Sequence, residues 1–296
     1  MARAESWSRT VRNLSEATLT DAVLAKLAGA TDARFKQIMM SLIKHLHAFV
    51  REVELTDEEW LTGIEFLTAT GQKCDQKRQE YILLSDTLGV SMLVEAINHR
   101  KPSGATQSTV LGPFYVLGAP EKPLGADIAE GVEGDPTYFS GCVRATDGKP
   151  IAGATLDLWS TDGQGCYDVQ RGADAPMRAR GKIRTDANGC YSFWTIKPVS
   201  YPVPTDGPVG RMLLKMGRHP YRPAHTHMIV SAPGYETLTT HVFVEGDRYL
   251  DSDAVFGVKN SLVAPFVRHE PGVGPNGRQM ERPYYTVVYD FGLNPV

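Results

Sequence analysis

Two histidines one residue apart, His225 and His227, open the alternating run Arg222-Pro223-Ala224-His225-Thr226-His227-Met228-Ile229-Val230-Ser231. Along a β-strand, side chains two apart share a face, so both imidazoles can reach one ion. A second pair, His45 and His47, is an internal contrast, because it lies in a stretch of helical periodicity. There a two-residue step turns the chain by about 200°, and the rings diverge. The strand pair is also compatible with two hydrogen-bonded histidines and no metal.

No cysteine, HxD or HExxH spacing accompanies His225 and His227, which leaves tyrosines as the obvious further donors. Phenolate is a hard, charged oxygen donor, and a phenol gives up its proton only near a pKa of about 10. A strongly Lewis-acidic ion can drive that loss, so Tyr/His ligation favours Fe(III) over Zn(II) or Fe(II). The sequence has 12 tyrosines, and spacing alone does not choose among them.

These residues must be held by a fold, and the chain divides by texture. From Thr18 to about Arg100 apolar residues recur at helical spacing, with Phe35, Ile38, Met39, Leu42, Ile43 and Leu46 on one face and Trp60, Leu61, Ile64 and Leu67 on another. Thr56-Asp57-Glu58-Glu59 reads as a capping box at a helix start. A last helix is expected over Tyr81–His99, with Gly89 tolerated inside it at a cost of about 1 kcal/mol.

Beyond Lys101 come Gly- and Pro-rich turns, then short β-branched and aromatic runs at Tyr138–Ala145, Ala154–Ser160, Cys190–Thr195, His227–Ser231, His241–Val244 and Tyr284–Tyr289. The expected fold is α+β: a helical N-terminal domain over residues 1–100, a connecting region over 101–137, and an antiparallel β-sandwich catalytic domain over 138–296.

With 296 residues and 42% hydrophobic content, the chain can bury a sizeable core without staples. A net charge of −3 lacks the basic footprint that nucleic acid demands. Four cysteines without a CxxC spacing predict neither a disulfide framework nor structural zinc. Arg3, Arg9 and Arg12 are followed by no apolar core of signal-peptide length, and no stretch approaches a membrane span of about 18 apolar residues. A soluble, cytoplasmic protein is expected.

The stretch Leu213-Leu214-Lys215-Met216-Gly217-Arg218-His219-Pro220-Tyr221-Arg222-Pro223-Ala224-His225-Thr226-His227 resembles the metal-binding signature of the intradiol ring-cleavage dioxygenases, the catechol 1,2-dioxygenase family. Gly112-Pro113-Phe114-Tyr115 and Leu156-Asp157-Leu158-Trp159 with Gly165-Cys166-Tyr167 support it, and the likeness runs through both halves of the chain. The resemblance implies one Fe(III) per subunit, held by Tyr167, Tyr201, His225 and His227. The segment around Tyr201, Ser200-Tyr201-Pro202-Val203-Pro204, departs from the usual catechol-enzyme pattern. By the same likeness O2 opens an aromatic diol between its hydroxylated carbons. Tyr201 serves as both ligand and base, and Arg222 stabilises negative charge developing on the ring.

The segment Tyr81–Glu95, and His241 where catechol enzymes usually carry glutamine, resemble the branch of the family acting on hydroxyquinol, 1,2,4-trihydroxybenzene. In that branch Leu83, Asp86, Val110, Leu111, Gly112, Pro113, Phe114, Val203, Pro204 and Val255 match pocket-lining positions, joined here by Arg222 and His241. Asp86 could accept a hydrogen bond from the third hydroxyl and so penalise unsubstituted catechol. Catechol or a substituted catechol is the alternative substrate. The family likeness further implies a homodimer through the N-terminal helices, with an apolar channel able to hold phospholipid. Competing readings are a non-catalytic β-sandwich binding module and a Zn(II) or Fe(II) enzyme using the two histidines with a carboxylate.

Overall fold

Asp32 closes the first turn of a long helix by accepting a hydrogen bond from Phe35 N at 2.9 Å. This is one of several helices in the computed structural model, which describes residues 12–75, 78–172 and 175–296. Residues 1–11, with Arg3 and Arg9 of the segment read for targeting, lie outside the described residues. Two compact units divide the chain, residues 1–68 and 69–296.

The first unit contains α1 (Glu16–Ala25), α2 (Ala33–Glu52) and most of α3 (Asp57–Gln72). The capping box at Thr56 forms as expected, with Thr56 N 3.0 Å from Glu59 Oε2 and Glu59 N 3.3 Å from Thr56 Oγ1. His47 bonds Thr20 through Nδ1 at 3.0 Å, while His45 is exposed, so this pair does not chelate together. None of the α2 side chains is buried, and Phe35, Ile38, Leu42, Leu46 and Phe49 form an exposed stripe on it.

In the second unit α4 (Glu80–Thr87) and α5 (Val90–Asn98) replace the single helix expected over 81–99. Gly89 is not tolerated within a helix; it ends one, at φ 75°, a left-handed conformation that glycine adopts without the Cβ penalty. The strands follow as β1 (Pro136–Ala145), β2 (Thr155–Trp159), β3 (Arg180–Arg184), β4 (Cys190–Ile196) and β5 (Tyr201–Pro202). Helix α6 (Pro208–Lys215) precedes β6 (Tyr221–Arg222), β7 (His225–Ser231) and β8 (Leu238–Val244). Short strands complete the chain: β9 (Val263–Ala264), β10 (Val267–His269), β11 (Gly272–Val273), β12 (Gln279–Met280), β13 (Tyr284–Val288) and β14 (Phe291–Leu293).

Of the two five-stranded sheets, one has the order β3-β2-β7-β8-β9 and the other runs β10-β13-β1-β14, with β4 also on β1; β5-β6 and β11-β12 form two-stranded ribbons. Both five-stranded sheets are mixed rather than purely antiparallel, because β13 and β14 pair with β1, and β9 with β8, in parallel. The expectation of no disulfide is also corrected. Cys142 and Cys190 stand opposite each other in the β1–β4 register and are bonded, a juxtaposition that their separation of 48 residues hides in the sequence. Cys74 and Cys166 are free.

Strand parity places the site. Leu156 and Leu158 of β2, Met228 and Val230 of β7, and Leu238 and Val242 of β8 enter the core with Phe139, Phe193 and Phe291. Each such burial contributes roughly 1.5–3 kcal/mol, which pins the register against a one-residue slip. The alternate residues Trp159, His225, His227, His241 and Phe243 are thereby turned to the opposite face of the same sheet.

Candidate metal centre

On that face the register sets Trp159 opposite His227 and His227 opposite His241. Trp159 lies flat on the His227 ring, centroids 4.6 Å apart at 14°. Tyr167 arrives from the loop after β2, where Asp162 Oδ1 accepts from Gln164 N at 2.9 Å and Cys166 N at 3.0 Å. Gly165 turns this loop at φ 83°, and an added Cβ would come 3.0 Å from Tyr201 Cβ. Tyr201 comes from the ribbon of β5 and β6, directly opposite Arg222. All of these side chains are buried, from Tyr167 at 0% exposure to Tyr201 at 4%.

Four donor atoms meet there. Tyr167 Oη lies 3.2 Å from Tyr201 Oη and 2.9 Å from His227 Nε2, and His227 Nε2 lies 3.1 Å from His225 Nε2. His225 Nδ1 faces the Pro223 carbonyl at 2.7 Å, so Nδ1 carries the proton and Nε2 presents a lone pair. If His227 Nδ1 donates to His241 Nε2, 2.8 Å away, its Nε2 is a lone pair too. Two imidazole lone pairs facing each other in a dry site repel unless a shared cation or hydrogen-bond donors meet them, and Tyr167 Oη at 2.9 Å and Arg222 Nη1 at 3.3 Å are the donors within reach. Among the described residues His225, His227 and His241 form a cluster whose ring nitrogens lie within 4.8 Å of one another. His241 belongs to it as the support behind His227, and its own Nδ1 is buried without a partner.

The electrostatics keep the imidazoles of this site neutral. Burial, then the neighbouring Arg222 charge, lowers His225 to about 3. Burial, then His225, holds His227 well below the ordinary imidazole range; for His241, the causes are burial and His227. Neutral imidazoles are the ligating form. Burial, then Tyr201, raises Tyr167 well above an ordinary phenol, so its ionisation calls for a compensating cation. The donor set, two phenols and two imidazoles, fits a hard Lewis-acidic ion.

Arg222 Nη1 approaches His225 Nε2 at 3.3 Å while Nε and Nη2 bond Asp253. Phe114 stacks on Tyr167 at 4.5 Å, and its carbonyl accepts from Arg180 Nη2 at 2.8 Å. Arg180 in turn is paired with the buried Asp168 beside Tyr167.

The expected pocket residues divide. Leu83, Asp86, Val110, Val203 and Val255 are buried, and Pro204 is half-buried. Gly112 lies against the centre, where an added Cβ would meet His227 Cε1 at 3.1 Å. Leu111 and Pro113 are exposed. Asp86 is raised by burial, partly offset by a hydrogen bond from Ser91 and the charge of Arg222. Sequence reasoning missed Asp253, Asp168 and Arg180, which follow no periodic signal and are joined to the site only by folding.

A dry face carrying convergent phenol and imidazole donors defines a candidate mononuclear metal centre of an oxidoreductase. Residues 110–295 match the family described as Dioxygenase, and residues 32–106 match that described as Catechol dioxygenase N terminus. The chain belongs to the intradiol ring-cleavage dioxygenases, a non-haem iron family. It is 52% identical to 6-chlorohydroxyquinol 1,2-dioxygenase of Cupriavidus pinatubonensis, covering 94% of this chain and 96% of that protein. Identity to hydroxyquinol 1,2-dioxygenase of Nocardioides simplex is 48%, over 95% and 96%. The solved structure of hydroxyquinol 1,2-dioxygenase from Pseudomonas putida DLL-E4 superposes with a TM-score of 0.89 at 49% identity, covering 95% of this chain and 99% of that one.

Proposed function

We propose that this enzyme binds one Fe(III) per subunit through Tyr167, Tyr201, His225 and His227 and opens hydroxyquinol between its adjacent hydroxylated carbons. Both atoms of O2 enter the product, 3-hydroxy-cis,cis-muconate, the tautomer of maleylacetate. The observation that carries the reading is the meeting of Tyr167 Oη, His227 Nε2 and His225 Nε2 within 3.1 Å steps on one buried face.

When bound, the ferric ion supplies Lewis acidity and an electron acceptor for the deprotonated ring. The chain supplies the rest. Tyr201 Oη takes a proton from a substrate hydroxyl, and Arg222 Nη1 offers fixed positive charge to the electron-rich ring, an electrostatic role that a dry site strengthens. Trp159 and Phe114 exclude water by covering His227 and Tyr167. Asp86, buried and electrostatically coupled to Arg222, accepts a hydrogen bond from the third hydroxyl.

Relatives named for hydroxyquinol or 6-chlorohydroxyquinol at about half identity over nearly the whole chain support this substrate over catechol. The exposed stripe Phe35, Ile38, Leu42, Leu46 and Phe49 on α2 supports a homodimer through the N-terminal helices, and its apolar character is what a bound phospholipid would need. Among the described residues no helix is long and apolar enough to cross a membrane.

The test is turnover by iron-loaded protein of hydroxyquinol and catechol side by side, with iron analysis and a visible spectrum. Preferred cleavage of hydroxyquinol by red protein is expected. Faster turnover of catechol would overturn the substrate assignment, and colourless iron-containing protein would overturn tyrosinate ligation.

A further inference from the structure

Arg222 has an anchor that the reaction above does not use. Its Nε lies 3.1 Å from Asp253 Oδ1 and its Nη2 3.3 Å from Asp253 Oδ2, which leaves Nη1 to face His225. The carboxylate is itself fixed, because Val255 N donates to Oδ1 at 3.2 Å and Gly257 N to Oδ2 at 2.9 Å. For Gly257 to turn back on Asp253, the intervening Phe256 takes φ 60°, a left-handed conformation costly for a bulky residue.

Gly257 leaves no slack. An added Cβ would lie 3.0 Å from Arg222 Nη2 and 3.1 Å from Thr109 Oγ1. Thr109 Oγ1 donates to the Gly257 carbonyl at 3.1 Å, which ties this turn to the segment leading into Val110 and Gly112. Asp253 and Arg222 are 5% and 3% exposed, so each charge is stranded if the other is removed.

We propose that Asp253 is a positioning residue that determines the rate of ring opening through Arg222. It holds two of the three guanidinium nitrogens so that the third is aimed at the reacting ring, and its turn presses Val255 against the same pocket. The inference rests on the function proposed above. An Asp that only stabilised the loop would affect folding whichever residue stood at 222; one that acts through the guanidinium matters only while the guanidinium is there.

The test compares Asp253→Asn, Arg222→Gln and the double variant in the full, iron-loaded chain, scoring iron content, visible spectrum, kcat and KM for hydroxyquinol. Asn keeps the size of Asp but presents an amide where Arg222 and Gly257 both donate. Asp253→Asn is expected to keep iron and colour and to lose about 100-fold in kcat, with kcat/KM falling in parallel, as for small misplacements of a reacting group. Added to Arg222→Gln, it is expected to change kcat by less than about twofold, the mark of two residues acting as one unit.

Activity of Asp253→Asn within about threefold of wild type, or the same factor of loss in both backgrounds, overturns the proposal. Should Asp253→Asn not fold, Asp253→Glu keeps the charge while shifting its alignment. About a tenfold loss of kcat in that iron-replete variant supports the proposal, and a wild-type kcat overturns it. Wild-type protein that fails to open hydroxyquinol would instead sink the function proposed above, and that control is read before any variant.

Discussion

His241 Nε2 stands 2.8 Å from His227 Nδ1, with the two rings at 89° to each other. The contact joins neighbouring strands in register, so the orientation of one donor is set by the sheet itself. Replacing His241 with Phe removes the partner and leaves His227 free to change tautomer. Iron affinity, measured by competition with a chelator, is expected to fall about 10–100-fold, whereas His241→Gln, which keeps a hydrogen-bonding group, is expected to lose less. Undiminished affinity in the Phe variant would show the contact to be passive.

Tyr167 is fully buried with its hydroxyl facing both Tyr201 and His227. Tyr167→Phe deletes one oxygen donor and little volume. The visible charge-transfer band is expected to shift or bleach in protein that still unfolds cooperatively. An unchanged band at full iron occupancy would remove Tyr167 from the ligand set.

Asp86→Leu tests how the pocket reads its ring. Losing a buried acceptor for the third hydroxyl is expected to lower kcat/KM for hydroxyquinol about 10–100-fold relative to catechol. A constant ratio between the two substrates would mean that Asp86 does not recognise that hydroxyl.

The pH response of chelator-stripped protein follows from the histidines. His225 is lowered from 6.5 to about 3 in the folded chain, and His227 and His241 move the same way. Between those limits the unfolded state binds more protons than the folded state, so stability rises with pH. The contribution is complete above about pH 6.5 and is lost as pH falls from there toward the folded values. Urea midpoints are therefore expected to drop between pH 7 and pH 5, with unfolding at pH 5 accompanied by uptake of protons onto these rings. A midpoint flat across that range would contradict their burial as neutral groups.

Much of this arrangement was legible beforehand. Alternation around His225 and His227 placed them on one face of a strand, and the capping box at Thr56 placed a helix start, because both signals are local and periodic. The family likeness points to Tyr167 and Tyr201, and the fold sets Tyr167 Oη against His227 Nε2 and Tyr201 Oη against Tyr167 Oη. What escaped has a common physical character. In the sequence Gly89 reads as a tolerated defect because its φ is invisible in one dimension. The Cys142–Cys190 bond and the Asp253–Arg222 pair depend on strand register and loop closure over tens of residues. Strand β3, Arg180-Gly181-Lys182-Ile183-Arg184, is too charged to read as a strand, although Arg180 is buried against Asp168.

The parallel pairing of β1 with β13 and β14 bears on how the protein is made. Thr137 aligns with Tyr285, and Ala145 with Leu293, so the central strand of one sheet waits for neighbours near the end of the chain. The sheet carrying the histidines has β2, β3, β7 and β8 in place by Val244, whereas the opposing layer can finish only after Leu293 has left the ribosome. Until then nascent chains carry an apolar sheet face that only β1 and β4 can cover, the interval in which a chaperone has most to protect.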